Sequence, residues 1–325
     1  MDQSNSYLKI VVGSIVFFLT ILAFATSCYI FNTDIRSEIP SDIRDKQLIP
    51  WGIKAMEVPS LWDNGLTGKG VKVAVLDGGI DHLHPDLVGN VKLGFNAINP
   101  QNPPIDETGH GTFVAGIIGA KNNNFGIVGV APDVDLYPVK VLDSYDEGDI
   151  TDIDRGIDWC IENGIQIINM SFAMNNNKAE LLKSINKAIS AGIIVVSSSS
   201  NSYGGDVGFP ASYDDVFSVT AVDKQMNISK KAAKGKIDFS APGINIISTA
   251  MNNEYEQYSG NSFAAPYLTG FIALILQDPK QFGITEPSFQ EIKNVLLKYS
   301  LDLGKKGSDD IFGSGFVIYK KNNFS

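Results

Sequence analysis

The stretch Val71-Lys72-Val73-Ala74-Val75-Leu76-Asp77-Gly78-Gly79 decides the fold. A short apolar, β-branched run that stops at glycines reads as a buried strand, and strands with no polar face belong to parallel sheets covered on both sides. Strands are expected over 71–76, 135–141, 165–170, 193–198 and 216–222, and helices over 110–118, 150–163, 178–190 and 262–276. This alternation predicts an α/β fold with a mostly parallel central sheet and helices on both faces. Sites in such folds lie at the carboxyl ends of strands. Asp77 stands at that end of the first one.

The chain has 325 residues, 44% of them hydrophobic and 19% charged, an ordinary globular composition. Its net charge of −10 lacks the basic footprint of nucleic-acid binding, so no nucleic-acid partner is expected. Two cysteines make no disulfide framework, and Cys160, within an apolar helical stretch, reads as an inert core thiol. Lys9 is followed by an uncharged run over 10–33. It suits a cleaved signal with Ala23-Phe24-Ala25 before the cut, a retained membrane anchor, or lipid attachment at Cys28. Each alternative places the remainder outside the cytoplasm. Residues 34–46 read as a linker or short pro-segment, and the main domain as 47–325.

Three histidines occur. His82 and His84 lie in G-I-D-H-L-H-P-D-L, where solvated or turn roles are expected. His110 lies in D-E-T-G-H-G-T-F-V-A-G, between glycines at the start of a small-residue helix, and suits a general base. Asp77 suits a partner that fixes its tautomer; a structural turn role stays open. Ser262, in Y-S-G-N-S-F-A-A-P, opens a helix and reads as a nucleophile or a helix cap. Ala264 breaks the G-x-S-x-G pattern, and the order Asp77, His110, Ser262 is not that of the α/β-hydrolases.

That order is the one found in subtilisins. With it, V-A-V-L-D-G-G-I-D, G-H-G-T-F-V-A-G and G-N-S-F-A-A-P resemble the aspartate, histidine and serine blocks of the subtilisin-like serine proteases. The likeness runs from Q-L-I-P-W-G at Gln47 to F-G-S-G-F-V at Phe312, and implies a three-layer subtilisin-like fold. It implies a peptide or protein substrate, Asn201 in the oxyanion hole, and a monomer. Ser171, Phe172 and Ala173 would form one wall of the first specificity pocket. Ser198, Ser199 and Ser200 would form the other wall, and Gly208 the floor. Ala173 stands where many relatives have glycine, which would narrow the pocket. Asn261 replaces the usual Thr, with an amide still able to donate to the oxyanion. Phe263 replaces the usual Met, which should blunt oxidation.

The resemblance also implies a structural Ca2+ held by Gln47, Asp86 and Asn123 with the carbonyls of Lys121, Phe125 and Ile127. An Asn-rich turn is the plain alternative. The acids Asp143, Asp146, Glu147, Asp149, Asp152, Asp154 and Asp158, against Arg155 alone, border the substrate groove in the family. They read as a solvated face or, through Glu147 and Asp149 with Asp206 near the pocket, as an attraction for basic residues before the cleaved bond. Few residues lie between Ala25 and Gln47, and short chains of this type resemble the leader peptidases that process lanthipeptide precursors; a general secreted protease is the alternative. Membrane contact is expected only through the N-terminal segment. A pseudoprotease that binds peptides without cutting them is the rival from another class.

Overall fold

The computed structural model describes residues 39–320. The proposals for the segment over 1–33 therefore lie outside the described residues. A compact unit begins at Asp42 and carries all the elements below. Ile43 is buried there, its carbonyl accepting from the Gly126 N–H at 2.6 Å, and Arg44 pairs with Glu254 at 2.6 Å. Among the described residues no helix is long and apolar enough to cross a membrane.

In chain order the helices are α1 Trp51–Ala55, α2 Pro59–Trp62, α3 His110–Gly119, α4 Ile150–Glu162, α5 Ala179–Ser190, α6 Ala264–Gln277 and α7 Phe289–Lys298. The strands are β1 Lys72–Asp77, β2 Phe95–Asn96, β3 Asp135–Lys140, β4 Ile167–Met170, β5 Ile194–Ser198, β6 Val216–Val222, β7 Phe239–Pro242, β8 Ile246–Ala250, β9 Glu254–Tyr258, β10 Ser300–Leu301 and β11 Phe316–Val317. A nine-stranded sheet runs β10-β11-β7-β6-β5-β4-β1-β3-β2, while β8 and β9 pair as a separate antiparallel ribbon. Within the large sheet only β10 against β11 is antiparallel.

Pleating explains the layers, because successive residues of a strand face opposite sides. Val73 and Val75 of β1 join one core with Phe113 of α3, Leu268 and Phe271 of α6 and Leu296 of α7. Ala74 and Leu76 join the other with Ile153 and Ile157 of α4 and Leu181 and Ile185 of α5. Helices thus cover both faces, as expected. Asp77 continues the alternation of Val73 and Val75, so it emerges on the face where α3 lies. Its strand is also the switch point, since later strands are added beside β1 on both sides.

Candidate active site

Asp77 is wholly buried, and an unpaired carboxylate there would be costly. It is paired. His110 Nδ1 lies 2.9 Å from Asp77 Oδ2 and 3.0 Å from Oδ1, and Oδ1 also accepts from the Gly78 N–H at 2.8 Å. The helix carrying His110 reaches this close because Gly111 has no side chain: a Cβ there would lie 2.1 Å from the Gly79 carbonyl oxygen. Burial works against a charged imidazole, but the charge and hydrogen bond of Asp77, helped by Asp146 and Asp106, raise the His110 pKa to about 9.

Asp106 belongs to the same motif as His110. It is buried and holds the turn before α3. Its Oδ1 accepts from the N–H groups of Thr108 at 3.1 Å and Gly109 at 2.9 Å, and its Oδ2 from Thr112 N–H at 2.8 Å and Thr112 Oγ1 at 2.5 Å.

Ser262 is expected to open a helix. It lies instead in the short 3-10 turn Asn261–Phe263, which leads directly into α6, two residues before Ala264. Among the described residues no hydrogen bond joins it to His110; such bonds are often long until substrate binds. The turn does reach the histidine through Phe263, whose ring centre is 5.7 Å from that of His110 and 4.6 Å from that of Phe113.

Asn201 is exposed, and its Oδ1 accepts from the Asn261 N–H at 3.2 Å, which ties it to the nucleophile turn. The Asn261 amide, expected to donate to the oxyanion, has partners inside the protein. Asn261 is fully buried; its Nδ2 donates one proton to the Ser200 carbonyl and its Oδ1 accepts from Ala221 N–H at 2.8 Å.

The expected pocket residues come together. Ser171 is held by Asn169 Nδ2 at 2.9 Å, and Asn169 in turn accepts from Thr269 of α6 at 2.8 Å. Phe172 and Ala173 are half-buried. A Cβ on Gly208 would lie 2.8 Å from that of Ala173 and 3.5 Å from that of Ser200, so the two walls and the floor meet. Gly208 N–H donates to the Ser199 carbonyl at 3.3 Å.

The acidic loop divides by partner. Asp152 pairs with Arg155, and Asp154 and Asp158 pair with Lys187 at 3.0 and 2.6 Å. Asp143 accepts from Tyr145 and Glu147 N–H groups. Asp149 caps α4, accepting from Thr151 N–H at 2.7 Å, so its carboxylate serves the helix first. Glu147 and Asp146 are exposed, and Asp146 accepts from Thr108 Oγ1 at 2.8 Å, two residues from His110. Asp206 is exposed beside the pocket wall.

Of the roles expected for His84, the turn role holds and the solvated one does not. It is buried, its Nε2 3.0 Å from the Glu254 carbonyl and its Nδ1 accepting from Asp86 N–H at 3.2 Å. Cys160 is buried as expected, and burial pushes its thiol pKa up.

The residues named for calcium also converge. Gln47 Nε2 lies 2.8 Å from the Lys121 carbonyl, 3.3 Å from Asn123 Oδ1, 3.1 Å from the Phe125 carbonyl and 3.0 Å from the Ile127 carbonyl. Two amide protons cannot serve four acceptors. Beside this ring, wholly buried Asp86 accepts from Ile127 N–H, Tyr255 Oη and Asn123 Nδ2, and among the described residues no Lys or Arg pairs with it. Hard oxygens around a buried negative charge fit calcium. Among the described residues there is no cluster of three or more His, Cys, Asp or Glu able to hold a metal, and this set, with one carboxylate, is of the carbonyl-rich kind.

The fold, the Asp77–His110 pair and the nearby turn of Ser262 fit a serine-protease class of site, and comparison with known proteins agrees on the class. The model of the Subtilase family matches residues 68–315. The chain is 38% identical to Subtilisin Savinase of Lederbergia lenta over 83% of its own length and 97% of that protein. It is 39% identical to Alkaline elastase YaB of Bacillus sp. (strain YaB) over 86% of its own length and 71% of the relative. It is also 38% identical to Minor extracellular protease Epr of Bacillus subtilis (strain 168), covering 41% of that longer protein. The chain belongs to the subtilase family. It is a serine endopeptidase.

Proposed function

We propose that this endopeptidase works outside the cytoplasm through Asp77, His110 and Ser262. The observation that carries the reading is the buried Asp77–His110 pair at the switch point of the sheet, with the nucleophile turn packed on the imidazole through Phe263. His110 takes the Ser262 proton as Oγ attacks the peptide carbonyl, then passes it to the leaving amine. Asp77 holds the Nδ1 proton and steadies the imidazolium. Asn201 Nδ2 and the Ser262 N–H receive the oxyanion, and water then releases the acyl group. A fluorophosphonate probe tests this: labelling should vanish in Ser262→Ala and collapse in His110→Ala. Labelling that survives Ser262→Ala would assign the nucleophile elsewhere, and absence of labelling in the wild type would favour the pseudoprotease.

Location outside the cytoplasm is supported by the apolar run over 10–33 and by a relative whose name calls it extracellular. For the substrate, a precursor peptide of the lanthipeptide-leader kind and general secreted protein substrates are the two readings, with basic residues before the cleaved bond in either. Exposed Asp146, bonded to Thr108 two residues from His110, supports the basic preference. General secreted proteolysis is supported by the relative named an extracellular protease. Mass spectrometry of a lanthipeptide precursor and of casein after digestion separates the two. One cut before the core peptide, with casein spared, is the processing outcome. Substrates with upstream Lys or Arg should have higher kcat/KM, and added salt should shrink the advantage.

Calcium would be held by Gln47, Asp86, Asn123 and the carbonyls of Lys121, Phe125 and Ile127. It would supply a crosslink between the start of the domain and the loop after α3, and no step of the reaction.

A further inference from the structure

We propose that Asn261 is the positioning residue of the oxyanion hole, acting through Asn201; the inference rests on the reading of Asn201 as the oxyanion donor. Three bonds carry it, all from one wholly buried residue. Its backbone N–H donates to Asn201 Oδ1 at 3.2 Å. An amide held by its oxygen turns its nitrogen the other way. Asn201 Nδ2 is accordingly turned away from the Asn261 N–H and lies 3.7 Å from where a Cβ on Gly260, the residue before the turn, would sit.

The second bond runs from Asn261 Nδ2 to the carbonyl of Ser200, the residue before Asn201. Ser200 has φ +89°, a left-handed conformation that a side chain disfavours. Its corner needs an outside hold, and the Asn261 side chain supplies one on the peptide leading into Asn201. The third bond, from Ala221 N–H to Asn261 Oδ1 at 2.8 Å, anchors that hold to β6 inside the sheet. One short side chain must therefore donate in one direction and accept in another, which the amide of asparagine does. Asn261 does not touch the reacting atoms. It fixes the direction of the group that does.

The test is a double-mutant cycle on a peptide substrate, with kcat and KM measured separately. Asn201→Ala alone first checks the underlying reading: kcat should fall by about 10²–10³, the loss known for removing one oxyanion donor from a subtilisin. Asn261→Ser should lower kcat by between about tenfold and 10²-fold, with KM within about twofold, because misdirection of the donor acts on the transition state. In the Asn201→Ala background the same substitution should change kcat by less than about twofold, since the donor it directs is gone. An equal loss in both backgrounds, or an unchanged kcat in the single variant, would overturn the proposal while leaving Asn201 in place. An unchanged kcat in Asn201→Ala would remove both readings together. If Asn261→Ser shows no cooperative unfolding transition, Asn261→Thr goes through the same cycle under the same criteria.

Discussion

At the scale of single residues, the local charge around His110 sets the working pH. For His110 as the proposed general base, which acts only when neutral, a pKa raised to about 9 predicts that activity falls as pH falls through that value. Asp146 contributes to the rise across space. Asp146→Asn should therefore lower the His110 pKa and move the acidic limb of kcat/KM to lower pH. A shift of a few tenths of a pH unit is expected at low ionic strength, shrinking with salt. A pH profile that stays put would show that the Asp146 charge does not reach the base. Phe263 carries a second residue-level consequence. Its ring fills the space between His110 and Phe113, and it lacks the thioether that peroxide converts to a polar sulfoxide. Phe263→Met should be inactivated by hydrogen peroxide under conditions that leave the parent active. Equal inactivation of both, measured as residual turnover, would place the sensitive group elsewhere.

At the scale of elements, α3 is positioned by a residue outside it. Its N-cap Gly109 offers no side chain, so Asp106 takes the Thr112 N–H of the first turn together with the N–H of Gly109 itself. Asp106→Ala should cost about 2 kcal/mol of stability, read as the urea midpoint multiplied by an unchanged slope, and should lower kcat as His110 loses its registration. Asp106→Asn keeps an acceptor and should fall between. A neutral Asp106→Ala would mean that water replaces the cap. The central strands β1 and β3 to β6 and the helices α3 to α6 were legible because their apolar residues recur with the period of a buried element. Ser262 was displaced from its expected helix because Asn261 turns its N–H and amide toward Asn201, Ser200 and β6, leaving α6 to begin at Ala264. The β8–β9 ribbon gave no signal, since Glu254, Glu256 and Tyr258 of β9 are solvent-facing and mostly polar. Strands β2, β10 and β11, at two residues each, are too short for any period to register. The acidic loop read as one feature in sequence, yet it divides in space. Lys187 lies on α5, and no linear pattern tells that it neutralises Asp154 and Asp158 of α4.

At the scale of the whole molecule, the start of the domain is fastened to a loop distant in sequence. Leu48 pairs with Ile127, and Gln47 sits in a ring of oxygens drawn from residues 121–127. Asp86 lies buried beside that ring with its charge uncompensated by any Lys or Arg among the described residues, a costly arrangement that a cation would relieve. Calcium that binds the folded form alone stabilises it by mass action, by about 2.7 kcal/mol at a hundredfold excess over Kd. The measured quantity is the difference in Tm between calcium-loaded and chelator-treated protein. Using a difference matters, because Asp86 also accepts from Ile127, Tyr255 and Asn123, and Asp86→Ala will lower Tm in either condition. The parent should show a drop of several degrees on chelation, and Asp86→Ala should show little or none. An equal drop in both proteins would put the cation elsewhere. No drop in the parent would leave the loop as an Asn-rich turn closed by Gln47 alone.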